Sequence, residues 1–187
     1  MSEPSDSAAP AAPYFRWAVT PTYLAHLFKA VVKQHHKSWG AVMRGMLPED
    51  GVAFDIGAHA GQYAKLLSRL TPRGQVFAFE PGSYARSILR AALYVNRCRN
   101  VAIVPLALGE REGTAMLTLP VKRRGAYGFG LAHLGHDTRW REVRRDIVAL
   151  TTIDRFAALT ELNRLDFIKA DIEKWRKIVR QKGLTSD

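Results

Sequence analysis

One cysteine, Cys98, occurs in 187 residues. A lone thiol excludes an intramolecular disulfide and cannot build a cysteine-rich zinc site. Long apolar runs are missing too, and none approaches the roughly 20 residues of a transmembrane helix. The opening "MSEPSDSAAPAAP" lacks the basic and apolar regions of a secretory signal, so a cytoplasmic location is expected. Acidic residues are few: 17 Asp and Glu stand against 28 Lys and Arg, a net charge of +11. Arginine clusters at 122–124, 139–145 and 174–182 would attract phosphates or anionic membrane. The plainer reading is a solvated basic exterior, because the aromatic–basic alternation of a nucleic-acid platform is absent.

What remains is ordinary globular material, 47% hydrophobic and 24% charged, enough for one domain with a core. Residues 1–13 read as a disordered tail, and 14–50 as an N-terminal helical segment. In that segment Thr20 is a candidate cap with Pro21 in the first turn. Tyr23, Leu24, Leu27, Phe28, Val31 and Val32 keep to one helical face. A second short helix, "SWGAVMRGML", stops at Pro48.

From residue 51 to 187 the pattern alternates. "GVAFDI", "QVFAFE" and "VAIVPLAL" read as buried strands, separated by the helices "GQYAKLLSRL" and "SYARSILRAALYVNR". "GTAMLTLPV" and "DIVALTTI" read as a later strand pair around a loop, Thr152 as a helix cap, and "LDFIKADIE" as a further buried strand. Strand–helix alternation predicts an α/β, Rossmann-like fold, a mostly parallel sheet with helices on both faces.

Ligands of such sheets sit at the carboxyl ends of the strands. Asp55, Glu80 and Asp171 each close a predicted strand. Gly57 and Gly61 permit a tight turn before a helix N-terminus, and Glu80 is placed to accept hydrogen bonds from both hydroxyls of a ribose. "GAHAG" lacks the G-x-G-x-x-G spacing that brings backbone onto a pyrophosphate. A cofactor with an amino-acid end, a ribose and no phosphate fits better than a dinucleotide.

"FDIGAHAGQY", "FAFEP", "VPLALGEREGTAML", "LTTID" and "LDFIKADIE" follow in that order. Together they resemble the FkbM-type family of S-adenosylmethionine-dependent methyltransferases over roughly residues 50 to 173. The resemblance implies a class I methyltransferase fold, S-adenosylmethionine as cofactor, and transfer to a hydroxyl oxygen of a small molecule or sugar. It places Asp55, Gly57, Ala58 and Gly61 in the first cofactor loop, with Glu80 and Pro81 at the ribose. Asp171, with Glu173, falls near the transferred methyl. Asp171 is the first candidate base and His59 the second; no metal is called for. Lys169 should face the same side as Asp171. The glycine-rich "KRRGAYGFGLAHLGHD", with His133 and His136, suits a lid over the acceptor.

After "DIE" the family pattern continues with a glycine and a glutamate, where this chain has Lys174, Trp175 and Arg176. The expectation is a domain incomplete at its C-terminus, with an unpaired edge strand and self-association through it. A methyltransferase remnant without activity and a nucleic-acid methyltransferase are the alternatives. The latter lacks the expected Asn/Asp-Pro-Pro motif, and no specific nucleic acid is expected as a partner.

Overall fold

The computed structural model describes residues 19–35, 38–121, 128, 132–134 and 143–170. Helix α1 (Pro21–Val32) starts where expected: the Thr20 side chain accepts a hydrogen bond from the Tyr23 N–H at 3.1 Å. Helix α2 (Trp39–Arg44) follows. The sequence then lays down β1 (Val52–Ile56), α3 (Gln62–Leu70), β2 (Gln75–Phe79), α4 (Ser83–Val95) and β3 (Val101–Val104).

The third strand breaks at Pro105. Proline has no N–H for a sheet ladder, and the chain leaves the first sheet there. It resumes as β4 (Ala107–Leu108) in a second sheet. That sheet also contains β5 (Gly113–Pro120), β6 (His133–Leu134) and β7 (Val143–Thr151). Helix α5 (Ile153–Leu159), capped by Thr152 onto the Arg155 N–H, returns the chain to the first sheet as β8 (Phe167–Lys169). The expected single sheet is thus two four-stranded sheets, ordered β3-β2-β1-β8 and β4-β7-β5-β6.

All pairings in the first sheet are parallel. Alternation along its strands divides the residues between two faces. One face, with Ala53, Val76 and Ala78, packs under α2, α3 and α4 through Met43, Leu66, Leu67, Leu70 and Leu89. The other gathers Phe54, Phe77 and Phe79 against Phe156 of α5, with ring centroids 4.8–5.6 Å apart. The parallel sheet covered by helices on both faces is the class I methyltransferase fold expected from the sequence.

One expectation about helix α1 changes. Of the six apolar residues assigned to the inner face of α1, Tyr23, Leu27 and Val31 pack against α4, whereas Leu24, Phe28 and Val32 are exposed. The apolar sector is wider than the surface that α4 offers. The lid segment, 122–137, mostly lies outside the described residues. Its His133 sits in β6, paired with β5 beside Thr118, and His136 lies outside.

Candidate active site

Strand order reverses between β1, which continues to β2 and β3, and β8 on its other side. That switch point is where open α/β sheets bind ligands. The expected residues of the first two strands come together there.

After β1 the chain turns through residues 57–61 with three left-handed backbones: Gly57 at φ 73°, His59 at φ 49° and Gly61 at φ 81°. Glycine adopts these angles without strain, while a histidine does so at a cost of order 1–3 kcal/mol. Gly61 has a second reason to be glycine: an added Cβ would lie 2.6 Å from Leu89 Cδ1.

Four of the five N–H groups of this loop are taken by protein acceptors. Those of Gly57 and Ala58 both donate to the Phe79 carbonyl at 3.0 Å, and that of Gly61 donates to the Ala58 carbonyl at 2.8 Å. The His59 N–H donates to Glu80 Oε2 at 2.9 Å. A pyrophosphate site needs such donors turned toward the ligand. Here they are committed to the protein.

Glu80 follows β2 and is 5% exposed. Its other oxygen, Oε1, accepts from the Gly82 N–H at 2.8 Å, and the His59 Nδ1 atom lies 3.6 Å from Oε2. An ionised carboxylate offers about four acceptor positions, so two remain for a ligand. The Arg86 guanidinium donates to the carbonyls of Glu80 and Pro81 and holds the bend after β2. This role of Arg86 was not read from the sequence; six residues separate it from Glu80, across a strand-to-helix turn.

Asp55 is fully buried in β1, and neither carboxylate oxygen accepts a well-aligned hydrogen bond. Its charge partner is Lys169, whose Nζ lies 3.2 Å from Oδ1. The two residues are register partners in adjacent parallel strands, so their side chains leave the sheet on the same face. Lys169 Nζ also lies 3.4 Å and 3.5 Å from the carbonyl oxygens of Ile56 and Gly57, and 4.9 Å above the Tyr63 ring. Burial pushes the Asp55 carboxyl above its usual range. The Lys169 ammonium opposes that shift, with smaller help from His59 and the Ala64 N–H.

Asp171 and Glu173 lie outside the described residues. Among the described residues no group of three His, Cys, Asp or Glu is placed to hold a metal ion.

A buried lysine was also missed by the sequence reading. Lys65 of α3 is 1% exposed and donates to the carbonyls of Ala30 at 2.6 Å and Lys33 at 3.0 Å. It closes the C-terminal end of α1 and ties that helix to the one that starts at the loop. The only hint was a polar residue beside the inward Leu66 and Leu67.

A parallel sheet with this order, a glycine turn after β1 and an acid after β2 define a Rossmann-like domain of the class I methyltransferase type. The chain belongs to the FkbM methyltransferase family: the Methyltransferase FkbM domain matches residues 55–175. Among solved structures it is similar to precorrin-6y C5,15-methyltransferase from Geobacter metallireducens, at 32% identity, over 39% of this chain and 40% of that one, with a TM-score of 0.34. It is also similar to an rRNA methylase from Streptococcus thermophilus, at 16% identity, over 41% and 45% of the two chains, with a TM-score of 0.35. A SAM dependent methyltransferase from Aquifex aeolicus matches at 17% identity, over 41% and 39%, with a TM-score of 0.32. The chain therefore spans less than half the length of each of these structures. No curated protein matches it significantly.

Proposed function

We propose that this chain transfers a methyl group from S-adenosylmethionine to a hydroxyl oxygen of a small molecule or sugar. The observation that carries the cofactor half is Glu80. Two backbone N–H groups fix its carboxylate at the end of β2 and leave acceptor positions for two ribose hydroxyls. The loop beside it has committed four of its five N–H donors to the protein, which suits a cofactor without a pyrophosphate. Gly57, Ala58, Gly61 and Pro81 form the rest of this wall, and Asp55 with Lys169 braces its base.

When bound, the cofactor supplies an electrophilic methyl group carried on a sulfonium. The chain's own task is to orient the acceptor and take its proton. We assign that proton to Asp171, with His59 as the second candidate. The His59 ring lies beside the Glu80 carboxylate. The hydroxyl acceptor is supported by the family resemblance.

Calorimetric titration tests the reading. The chain should bind S-adenosylmethionine and not NAD, and Glu80→Ala should weaken binding by about 1.5–3 kcal/mol, the scale of hydrogen bonds to a charged acceptor. Binding of NAD alone, or an unchanged dissociation constant in the variant, would overturn it.

A further inference from the structure

Twelve large apolar side chains are exposed among the described residues, and seven of them fall between Val19 and Met46. The exposed apolar surface is therefore concentrated in the helical segment before β1. On α1, Leu24, Phe28 and Val32 are 52%, 65% and 61% exposed. Their spacing of four residues makes them one ridge along the helix. The inner side of α1 is already occupied, with Tyr23, Leu27 and Ala30 packed against α4. Helix α2 and its end divide the same way. Gly40 and Met43 are buried, while Trp39, Val42 and Met46 are more than half exposed.

Charge decides what these ridges fit. From residue 7 to residue 48 there is no Asp or Glu, while Arg16, Lys29, Lys33, Lys37 and Arg44 are all cationic. Lys29 and Lys33 are exposed and each follows a ridge residue, so their aliphatic stems can lie beside the ridge with the ammonium groups reaching outward. An apolar ridge bordered by cations, without anions, is the pattern of a helix that lies in a membrane interface. No described helix is long and apolar enough to cross a membrane.

We propose that α1 and α2 dock this chain on an anionic lipid surface, with the apolar ridges in the headgroup boundary and the lysines on lipid phosphates and carboxylates. A second copy would bring two acid-free, cationic segments together, and like charges at close range oppose that. A nucleic acid would satisfy the cations but leave the ridges in water. The inference is independent of the methyl acceptor.

Sedimentation of the full chain with vesicles tests it. Phosphatidylcholine vesicles containing phosphatidylserine should bind at least about tenfold more tightly than phosphatidylcholine alone, and added salt should weaken that binding. Phe28→Ser removes ridge without changing charge, and Lys29→Gln removes charge without touching the ridge. Each should reduce the partition coefficient several-fold at an unchanged unfolding temperature, since both positions are exposed. Val42→Ser on the second helix should act in the same direction and serves if Phe28→Ser does not fold. Equal binding to both vesicle types would overturn the proposal, as would wild-type binding by the serine variants. So would a dimer that Phe28→Ser dissociates, which would assign the ridge to a second copy. Capture by polyglutamate irrespective of Phe28 would assign it to an acidic protein and overturn the proposal as well.

Discussion

Asp55 carries a carboxylate into a fully buried position with one cation, Lys169, at 3.2 Å. The burial has a consequence for stability. Its folded-state pKa is raised above the ordinary value of 3.8, chiefly by desolvation. Between those two values the folded chain holds a proton that the unfolded chain has released. The resulting contribution is fully present below 3.8 and is lost as pH rises through the folded pKa. Asp55→Asn abolishes it. The stability of the wild type relative to this variant should therefore increase as pH is lowered from neutral toward the ordinary carboxyl value. Urea denaturation of both proteins at two pH values checks this. A pH-independent difference would mean that Lys169 fully offsets the burial of Asp55. Asp166, whose pKa is lowered by its hydrogen bond with Arg164, acts in the opposite sense but is common to both proteins and cancels.

At the level of elements, the N-terminal helices are fastened to the domain at particular points. α1 meets α4 through the edge-on Tyr23–Tyr84 pair, the His26–Tyr84 contact at 3.0 Å and the Tyr23 hydroxyl donating to Ser87 Oγ at 3.1 Å. The end of α1 is held from below by Lys65. Burial pulls the Lys65 ammonium down from the ordinary lysine range, but two carbonyls receive it. Replacing it with methionine keeps the volume and leaves those carbonyls without their donor. Lys65→Met should destabilise the chain by about 1.5–3 kcal/mol, the scale for hydrogen bonds to a charged group. Chemical denaturation measures that loss, and faster tryptic cleavage after Lys29 or Lys33 should accompany it. An unchanged midpoint would show that the aromatic contacts alone hold α1. Helix α3 links this fastening to the site, because Gly61 of the loop caps its N-terminus and Lys65 is its fourth residue.

Across the whole molecule, the dominant long-range feature is the net charge of +11. Such a field draws in polyanions without reading their sequence. Binding to duplex DNA or heparin should therefore fall steeply as salt is raised and should not depend on base sequence. Competition between unrelated duplexes at two salt concentrations measures both properties. A strong preference for one sequence that persists at high salt would revive the nucleic-acid methyltransferase reading. On the same scale, the two sheets meet near the site: Leu117 of β5 approaches Gly82, where an added Cβ would lie 3.5 Å from its Cδ2. The second sheet therefore borders the ribose end of the proposed cofactor site.

The sequence by itself determined the alternation of strands and helices, the caps at Thr20 and Thr152, and the glycine turn followed by an acid after β2. Each of these is encoded locally: by period, by a side chain that reaches its own helix N-terminus, or by a backbone angle that glycine permits. It also placed Asp55 at the end of the first strand and Lys169 within the last, although their pairing needed the register between β1 and β8. Tertiary structure alone decided the rest. Pro105 is visible in the sequence, but its transfer of the chain into a second sheet depends on what β4 finds to pair with. The burial of Lys65 depends on the end of α1 arriving above it, 35 residues away along the chain. Leu24, Phe28 and Val32 look like core on a helical wheel and are exposed because α4 covers only part of that face. Hydrophobic periodicity shows which residues avoid water, whereas the width of the neighbouring element decides how many of them do.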